Sequence, residues 1–214
     1  CGGVRCTTTM FVPRAFDGWI QDIQLENRTD KVLQLELYPL VPIHLGDALA
    51  RLLAGDNDAF FGGASYDPEL KGIVFRRHQG IAVNDDSEKI KGLLGNLAFY
   101  YCTLNQMPDW QVAYDTTLER FLGDRFHTLA CPGAIKEGRL ACKDTPYLRR
   151  ACGVFRHLIE LKPGEGKRLA VALIVSRTQD YYPNNKHQLK QQLAKVNASA
   201  QRAAQLEAVK AWWQ

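Results

Sequence analysis

The sequence predicts a mainly β protein, a large antiparallel sandwich with one or two helices at its C-terminal end. Three observations carry this expectation. Most of the chain falls into short runs rich in Thr, aliphatic and aromatic residues that alternate apolar and polar, the period of a strand with one buried face. Turn residues punctuate those runs, among them Pro13, Asn27 to Lys31, Pro39, and Lys162 to Gly166. From His187 the apolar spacing lengthens to that of a helix.

Taken in order, Arg5 to Val12 reads as a strand that Pro13 ends. Trp19 to Glu26 sets Ile23 and Leu25 on one face against Asp22, Gln24 and Glu26 on the other. Val32 to Tyr38 alternates again. With the polar Asn27-Arg28-Thr29-Asp30-Lys31 between them, the two runs predict an antiparallel hairpin. Gly46 to Ala54 suits a short helix with Leu49, Leu52 and Leu53 on one side, broken by Gly55-Asp56-Asn57-Asp58. Gly62-Gly63 and Asp67-Pro68 mark loops. Gly72 to Arg77, Gly80 to Val83 and Leu97 to Thr103 read as strands, with a polar loop from Asn84 to Lys91. Ala151 to Leu161 and Lys167 to Val175, joined by Lys162-Pro163-Gly164-Glu165-Gly166, predict a second hairpin. The second of these strands is apolar on both faces, which places it deep in a stack of layers. In the tail, Leu189, Leu193 and Val196, then Ala200, Ala203, Leu206 and Val209, recur at helical spacing. Asn197 and Ser199 suit a break and a cap between them.

Composition bounds the function. The 214 residues fit one large domain or one domain with an appendage, and 46% hydrophobic with 23% charged residues is enough to bury a core. The net charge of +4 is spread along the chain without a basic stripe interleaved with aromatics, which argues against nucleic acid as a partner. The six cysteines contain no Cys-x-x-Cys pair, which excludes a zinc ribbon or thioredoxin motif. Their scatter through apolar runs predicts buried thiols in a reducing compartment, with a disulfide among Cys131, Cys142 and Cys152 left open. No signal peptide or long apolar run stands out, so a cytoplasmic location is expected. The chain starts at Cys1 and stops at Trp212-Trp213-Gln214. It is expected to be a segment of a longer protein, cut at both ends.

Candidate chemistry is sparse. Asp56-Asn57-Asp58 has the spacing with which two carboxylates hold a divalent cation, but a solvated Gly-rich loop explains it better. His44, His78, His127, His157 and His187 are far apart, and isolated core or surface histidines are the simpler reading. Glu119 and Asp124 flank Phe121-Leu122-Gly123 as a carboxylate pair would, in what reads as a structural turn. Trp19 and Trp110 could stack on sugar faces, with core packing the default. Arg76, Arg77 and His78 end a strand and enter a loop. There guanidinium groups could meet a phosphate or sugar hydroxyls, against the commoner reading of a solvated charge cluster. They are the substrate-contact candidates; no catalytic residue and no metal ligand is assigned.

The central stretch Tyr114 to Gly133 contains Asp115-Thr116-Thr117-Leu118-Glu119-Arg120-Phe121-Leu122-Gly123, followed by Pro132-Gly133-Ala134. This resembles the Asp-Thr-Asp-Arg-x-x-Phe-Leu-Gly segment in the N-terminal β-sandwich domain of family 94 glycoside phosphorylases, the cellobiose phosphorylase group. Thr117 and Leu118 stand where the family has a second Asp and an Arg. Phe11-Val12-Pro13, Leu25-Glu26-Asn27 and Leu161-Lys162-Pro163-Gly164-Glu165 are similar to further family features in the same order, and the tail resembles its linker helices. The family's earliest strands are expected to be missing before Cys1.

The resemblance implies a β-supersandwich over residues 1–180 and a helical linker over 184–214 that leads toward an (α/α)6 catalytic domain outside the chain. It implies an inverting phosphorylase that splits a β-glucoside or oligosaccharide with inorganic phosphate, releasing a sugar 1-phosphate without metal or other cofactor. Phosphate replaces water as nucleophile, so one carboxylic acid suffices, and in the family that acid lies in the barrel. The domain implied here is a scaffold and a homodimer contact. The alternatives are a non-catalytic carbohydrate-binding sandwich or a purely structural one. A cyclic-glucan synthase could also own such a domain, at the inner membrane.

Overall fold

The computed structural model describes residues 2–43, 62–77, 97–104, 112–123, 128–144, 150–177 and 186–213. Ten strands in this part of the chain form two sheets. In chain order they are β1 (Val4–Phe11), β2 (Gly18–Asn27), β3 (Leu33–Leu37), β4 (Leu40–Pro42), β5 (Gly62–Asp67), β6 (Gly72–Arg77), β7 (Leu97–Thr103), β8 (Ala113–Thr117), β9 (Ala151–Leu161) and β10 (Gly166–Arg177). The larger sheet runs β1-β2-β10-β7-β6-β5, antiparallel throughout. The smaller sheet is built on β9. Strands β3 and β4 pair with it in one continuous register, Leu37 opposite His157 and Leu40 opposite Val154, while β8 pairs along its other edge.

Alternation decides what each face covers. On β9, Phe155, Ile159 and Leu161 point between the sheets. There they meet Ile73, Phe75, Tyr101, Val171 and Leu173 at one end and Ile23, Leu25 and Leu169 at the other. Cys152 and Val154 point outward, under two short helices, α1 (Leu118–Leu122) and α2 (Gly133–Glu137), where Phe121, Ala134 and Leu140 close over them. The expectation for β10 holds: Leu169 to Ile174 are all buried. One face meets the small sheet. The other, with Ala170, Ala172 and Ile174, meets Leu189 and Val196 of the tail. The tail is two helices, α3 (Lys186–Ala194) and α4 (Ser199–Trp213), which form a third layer over the large sheet.

Both expected hairpins are corrected. The runs are strands, but neither pair shares a ladder: β2 pairs with β1 and β10, and β3 pairs with β9. Each turn crosses from one sheet to the other, so consecutive strands face each other through the core. The reason is physical: period-2 alternation specifies a buried face and is indifferent to whether the next strand lies beside it or across from it. The two crossings stack at one end of the sandwich, and buried Asn27 joins them. Its Nδ2 donates to the carbonyls of Lys31 at 2.7 Å, Leu161 at 3.0 Å and Lys162 at 3.1 Å. Its Oδ1 accepts from Thr29 N at 2.9 Å and Thr29 Oγ1 at 2.7 Å. The main chain adds Asn27 N to Glu165 O at 3.0 Å and Gly164 N to Asn27 O at 3.1 Å.

Three smaller corrections follow. Gly62-Gly63, expected in a loop, opens strand β5, whereas the expected loop at Asp67-Pro68 is the turn of four residues after Asp67, whose Oδ1 accepts from Glu69 N at 2.9 Å. On α4, Ala200 and Ala203 are exposed and the buried position is Arg202. Buried thiols hold for Cys102 and Cys152, whereas Cys6, Cys131 and Cys142 are exposed, and none of the five is paired. The helix expected at Gly46 to Ala54, the strand at Gly80 to Val83 and the loop from Asn84 to Lys91 lie outside the described residues. Close approach of the layers requires glycine at Gly153, where a Cβ would sit 2.5 Å from Tyr101 Cδ1.

Candidate functional site

Arg76 and Arg77 close strand β6, opposite Gly63 and Gly62 of β5, with Ala98 across from Arg76 on the other side. Arg177, the last residue of β10, pairs with Leu97 at the same end of β7. Strand order therefore brings three arginine positions to one end of the large sheet, with β7 between them. Sequence reading missed Arg177. Its partner strand could be known only once β10 was seen to neighbour β7. His78, Trp110 and Asp56-Asn57-Asp58 lie outside the described residues.

The central stretch is a polar knot. Strand β8 delivers Asp115 and α1 starts directly after Thr117, so the carboxylate meets the backbone N–H groups of the strand-to-helix corner. Asp115, 1% exposed, accepts from Thr116 N at 2.7 Å and Thr117 N at 3.1 Å. Arg120, one turn into the helix, donates its Nε at 2.9 Å and brings Nη2 to 2.7 Å. The same guanidinium donates to Lys143 O at 2.6 Å, and Thr116 Oγ1 donates there at 2.9 Å. Asp115 Oδ2 receives Ala141 N at 3.4 Å, and Cys142 N donates to Tyr114 O at 2.9 Å. One carboxylate thus fastens strand, helix and the 139–144 loop. Next to it, Asp144 accepts from Tyr66 N at 2.9 Å and from the Tyr114 hydroxyl, whose pKa burial and this carboxylate push up to about 12. Tyr66 and Tyr114 stack at 4.5 Å, bridging β5 to β8.

The profile of the family "Glycosyl hydrolase 94, supersandwich domain" matches residues 1–199. The chain belongs to that family. It is 27% identical over 176 residues to the N,N'-diacetylchitobiose phosphorylases of Vibrio furnissii and Vibrio proteolyticus, an alignment covering 82% of this chain and 20% of each relative. The chain therefore spans about a fifth of the length of the curated relatives it matches. A solved candidate kojibiose phosphorylase from the human microbiome is similar over 90% of this chain and 18% of its own, at 10% identity and a TM-score of 0.44.

Within this supersandwich domain the residues that carried the resemblance have structural work. Leu25-Glu26-Asn27 meets Leu161-Lys162-Pro163-Gly164-Glu165 at the stacked crossings, and Asp115 to Gly123 is the knot. Glu119 has a structural partner, in keeping with the reading of its segment as a structural turn. Glu119 bridges to Arg150 at 2.9 Å, and Asp124 lies outside the described residues. Trp19 is half-buried beside Tyr101, ring centres 6.3 Å apart, so it packs with the core rather than forming a platform. His157 is buried on the inner face of β9, where desolvation holds its pKa down to about 4. On the outer face of the same strand, Arg156 and the Tyr38 hydroxyl both donate to Glu36, lowering its pKa. Among the described residues no group of three or more His, Cys, Asp or Glu could hold a metal. No described helix is long and apolar enough to cross a membrane.

Proposed function

We propose that this domain is the N-terminal scaffold and dimer contact of an inverting glycoside phosphorylase that cleaves a β-linked disaccharide or oligosaccharide with inorganic phosphate. The family match over residues 1–199 is the observation that carries this reading. The polar clusters support it. The Asp115 carboxylate is occupied by internal donors, which suits a scaffold rather than a seat of general acid catalysis. The acid that protonates the leaving oxygen, and the phosphate site, belong in this reading to a further (α/α)6 domain reached through the helices of 184–214. In this reading phosphate is a co-substrate and no cofactor takes part, and the cytoplasm suits a pathway that retains its sugar phosphate.

The sugar is either a glucosyl unit or, as the names of the Vibrio relatives suggest, an N-acetylglucosaminyl unit. In this reading Arg76, Arg77 and His78 contribute to the rim of the substrate site; that Arg177 ends β10 at the same sheet end as Arg76 and Arg77 supports it. The test is phosphate release by the full-length protein from glucose 1-phosphate or N-acetylglucosamine 1-phosphate, with a panel of free sugars as acceptors. Acceptor-dependent release is expected from one of the two donors. Arg76→Ala with Arg77→Ala should then raise KM about tenfold, near 1.4 kcal/mol of lost binding, with kcat little changed. Silence across the panel from a folded protein overturns the reading.

A further inference from the structure

Helix α4 is held to the sandwich by an unusual grip. Of its fifteen side chains the one that is buried is a charged one, Arg202, at 3% exposure. Leu206 and Val209 are half-buried, and the remaining apolar residues face outward. Arg202 reaches three places at once. Nε donates to Asp22 Oδ2 on β2 at 3.4 Å. Nη1 donates to the carbonyls of Val196 at 3.2 Å and Asn197 at 2.6 Å, just beyond the last turn of α3. One guanidinium therefore ties the sheet, the α3 terminus and α4 together.

Helix α3 has its own anchors. Leu189 is fully buried, Lys186 Nζ lies 2.8 Å from Asp67 Oδ2, and Lys190 Nζ lies 2.9 Å from Glu69 Oε2. Helix α4 has fewer among the described residues: besides Arg202, a hydrogen bond from Arg14 N to Gln205 Oε1 at 3.2 Å, exposed to solvent, and the packing of half-buried Leu206 against the core. A buried ion pair gives little net stability over apolar residues of equal volume, but its hydrogen bonds admit one arrangement. Apolar contact is non-directional and admits several.

We propose that Arg202 is a registry key: it fixes the angle of α4 to α3 and to the sheet, and thereby the place at which the Trp212–Trp213 pair is presented. That pair is T-shaped at 4.6 Å and exposed, and lies about 15 Å along the helix from Arg202 at 1.5 Å per residue. A swing of about 20° at the key would move it by about 5 Å over that lever. The inference does not depend on the proposed activity.

The test uses the full-length protein carrying Asp22→Leu with Arg202→Met, which removes both charges together. Ketone-bearing residues at the exposed positions Gln191 and Ala208 take nitroxide labels without touching the cysteines, and pulsed electron paramagnetic resonance reads the distance between α3 and α4. The thermal midpoint should stay within a few degrees of the parent while the α3–α4 distance distribution broadens at least twofold. A second label pair, at Thr8 on β1 and Gln191 on α3, should stay narrow. An α3–α4 distribution as narrow as the parent's overturns the proposal, and so does equal broadening of both pairs, which would make Arg202 a general structural support. Should the double variant fail to fold, Arg202→Lys keeps a charge for Asp22 without the fork that reaches both carbonyls, and the same two outcomes decide.

Discussion

The two ends of strand β9 are fastened by different chemistry. At Leu161 a neutral amide, Asn27, binds the two sheet crossings. At Ala151 a charged pair, Asp115 with Arg120, binds a strand, a helix and a loop. The difference follows from what each end lacks. The crossings already exchange main-chain hydrogen bonds through Glu165 and Gly164, and need one side chain that both donates and accepts. The corner at the end of β8 turns the N–H groups of Thr116 and Thr117 toward Asp115, and the 139–144 loop meets β8 through few main-chain bonds, Cys142 N to Tyr114 O among them. A carboxylate can accept from several donors at once, and a guanidinium can reach the loop carbonyl. A neutral pin suffices where the backbone is nearly self-satisfied, and charge is used where it is not.

The sharpest way to break this contrast is Asp115→Ala. It strands the N–H groups of Thr116 and Thr117 and leaves Arg120 without its buried partner, so the expected loss is about 3–5 kcal/mol in urea unfolding. Asp115→Asn keeps an acceptor and should lose roughly half as much. A loss under about 1 kcal/mol for Asp115→Ala would mean that the knot decorates the corner rather than holding it.

Next in size is the response of β9 itself to acid. His157 lies between the two fastenings and is buried on the inner face. Desolvation lowers its pKa from 6.5 to about 4. The unfolded chain therefore takes up the proton first. Stability from this group is complete above about pH 6.5 and falls as the pH drops toward 4, by an amount on the order of 3 kcal/mol. The difference in unfolding free energy between the parent and His157→Leu, followed from pH 7 to 4, isolates this contribution from the carboxylates. Parallel curves would refute it.

Asn27→Ala comes third, at about 2 kcal/mol, because the carbonyls of Leu161 and Lys162 lose a neutral donor while the main-chain bonds between the turns persist. Denaturant midpoints of Asn27→Ala and Asp115→Ala in one buffer test the ordering directly.

The sequence made the strands legible and their neighbours illegible. Alternation in Trp19 to Glu26 and Val32 to Tyr38 reports a buried face, and the crossing that places them in different sheets depends on Asn27 reaching residues more than 130 positions away. The doubly apolar β10 was legible because both of its faces are covered. Arg202 was not, since a charge on a helix reads as solvent-facing until Asp22 is placed beneath it. At the candidate site the resemblance located the knot and the segment read as a structural turn, yet nothing singled out Asp115 as the carboxylate that holds it. Nothing local in the chain distinguishes a buried acid from an exposed one.

The smallest expected effect draws the lower limit of the contrast. Glu119 and Arg150 sit beside the knot and their side chains approach as closely as the Arg120 Nε bond to Asp115, at 2.9 Å. Distance alone would rank them equal. Exposure separates them: the side chains are 33% and 44% exposed, against 2% for Asp115. Water screens the outer pair in part, and when the Arg150 side chain is removed its backbone N still faces Glu119 Oε1 at 3.4 Å. The main-chain bond from Leu118 N to Arg150 O at 2.9 Å does not involve the side chain and survives Arg150→Ala. Arg150→Ala should therefore cost about 0.5 kcal/mol, falling further in salt, against several for Asp115→Ala. Equal losses for the two variants would show that the outer pair is an energetic part of the knot, and that burial of the carboxylate is not what gives the corner its strength.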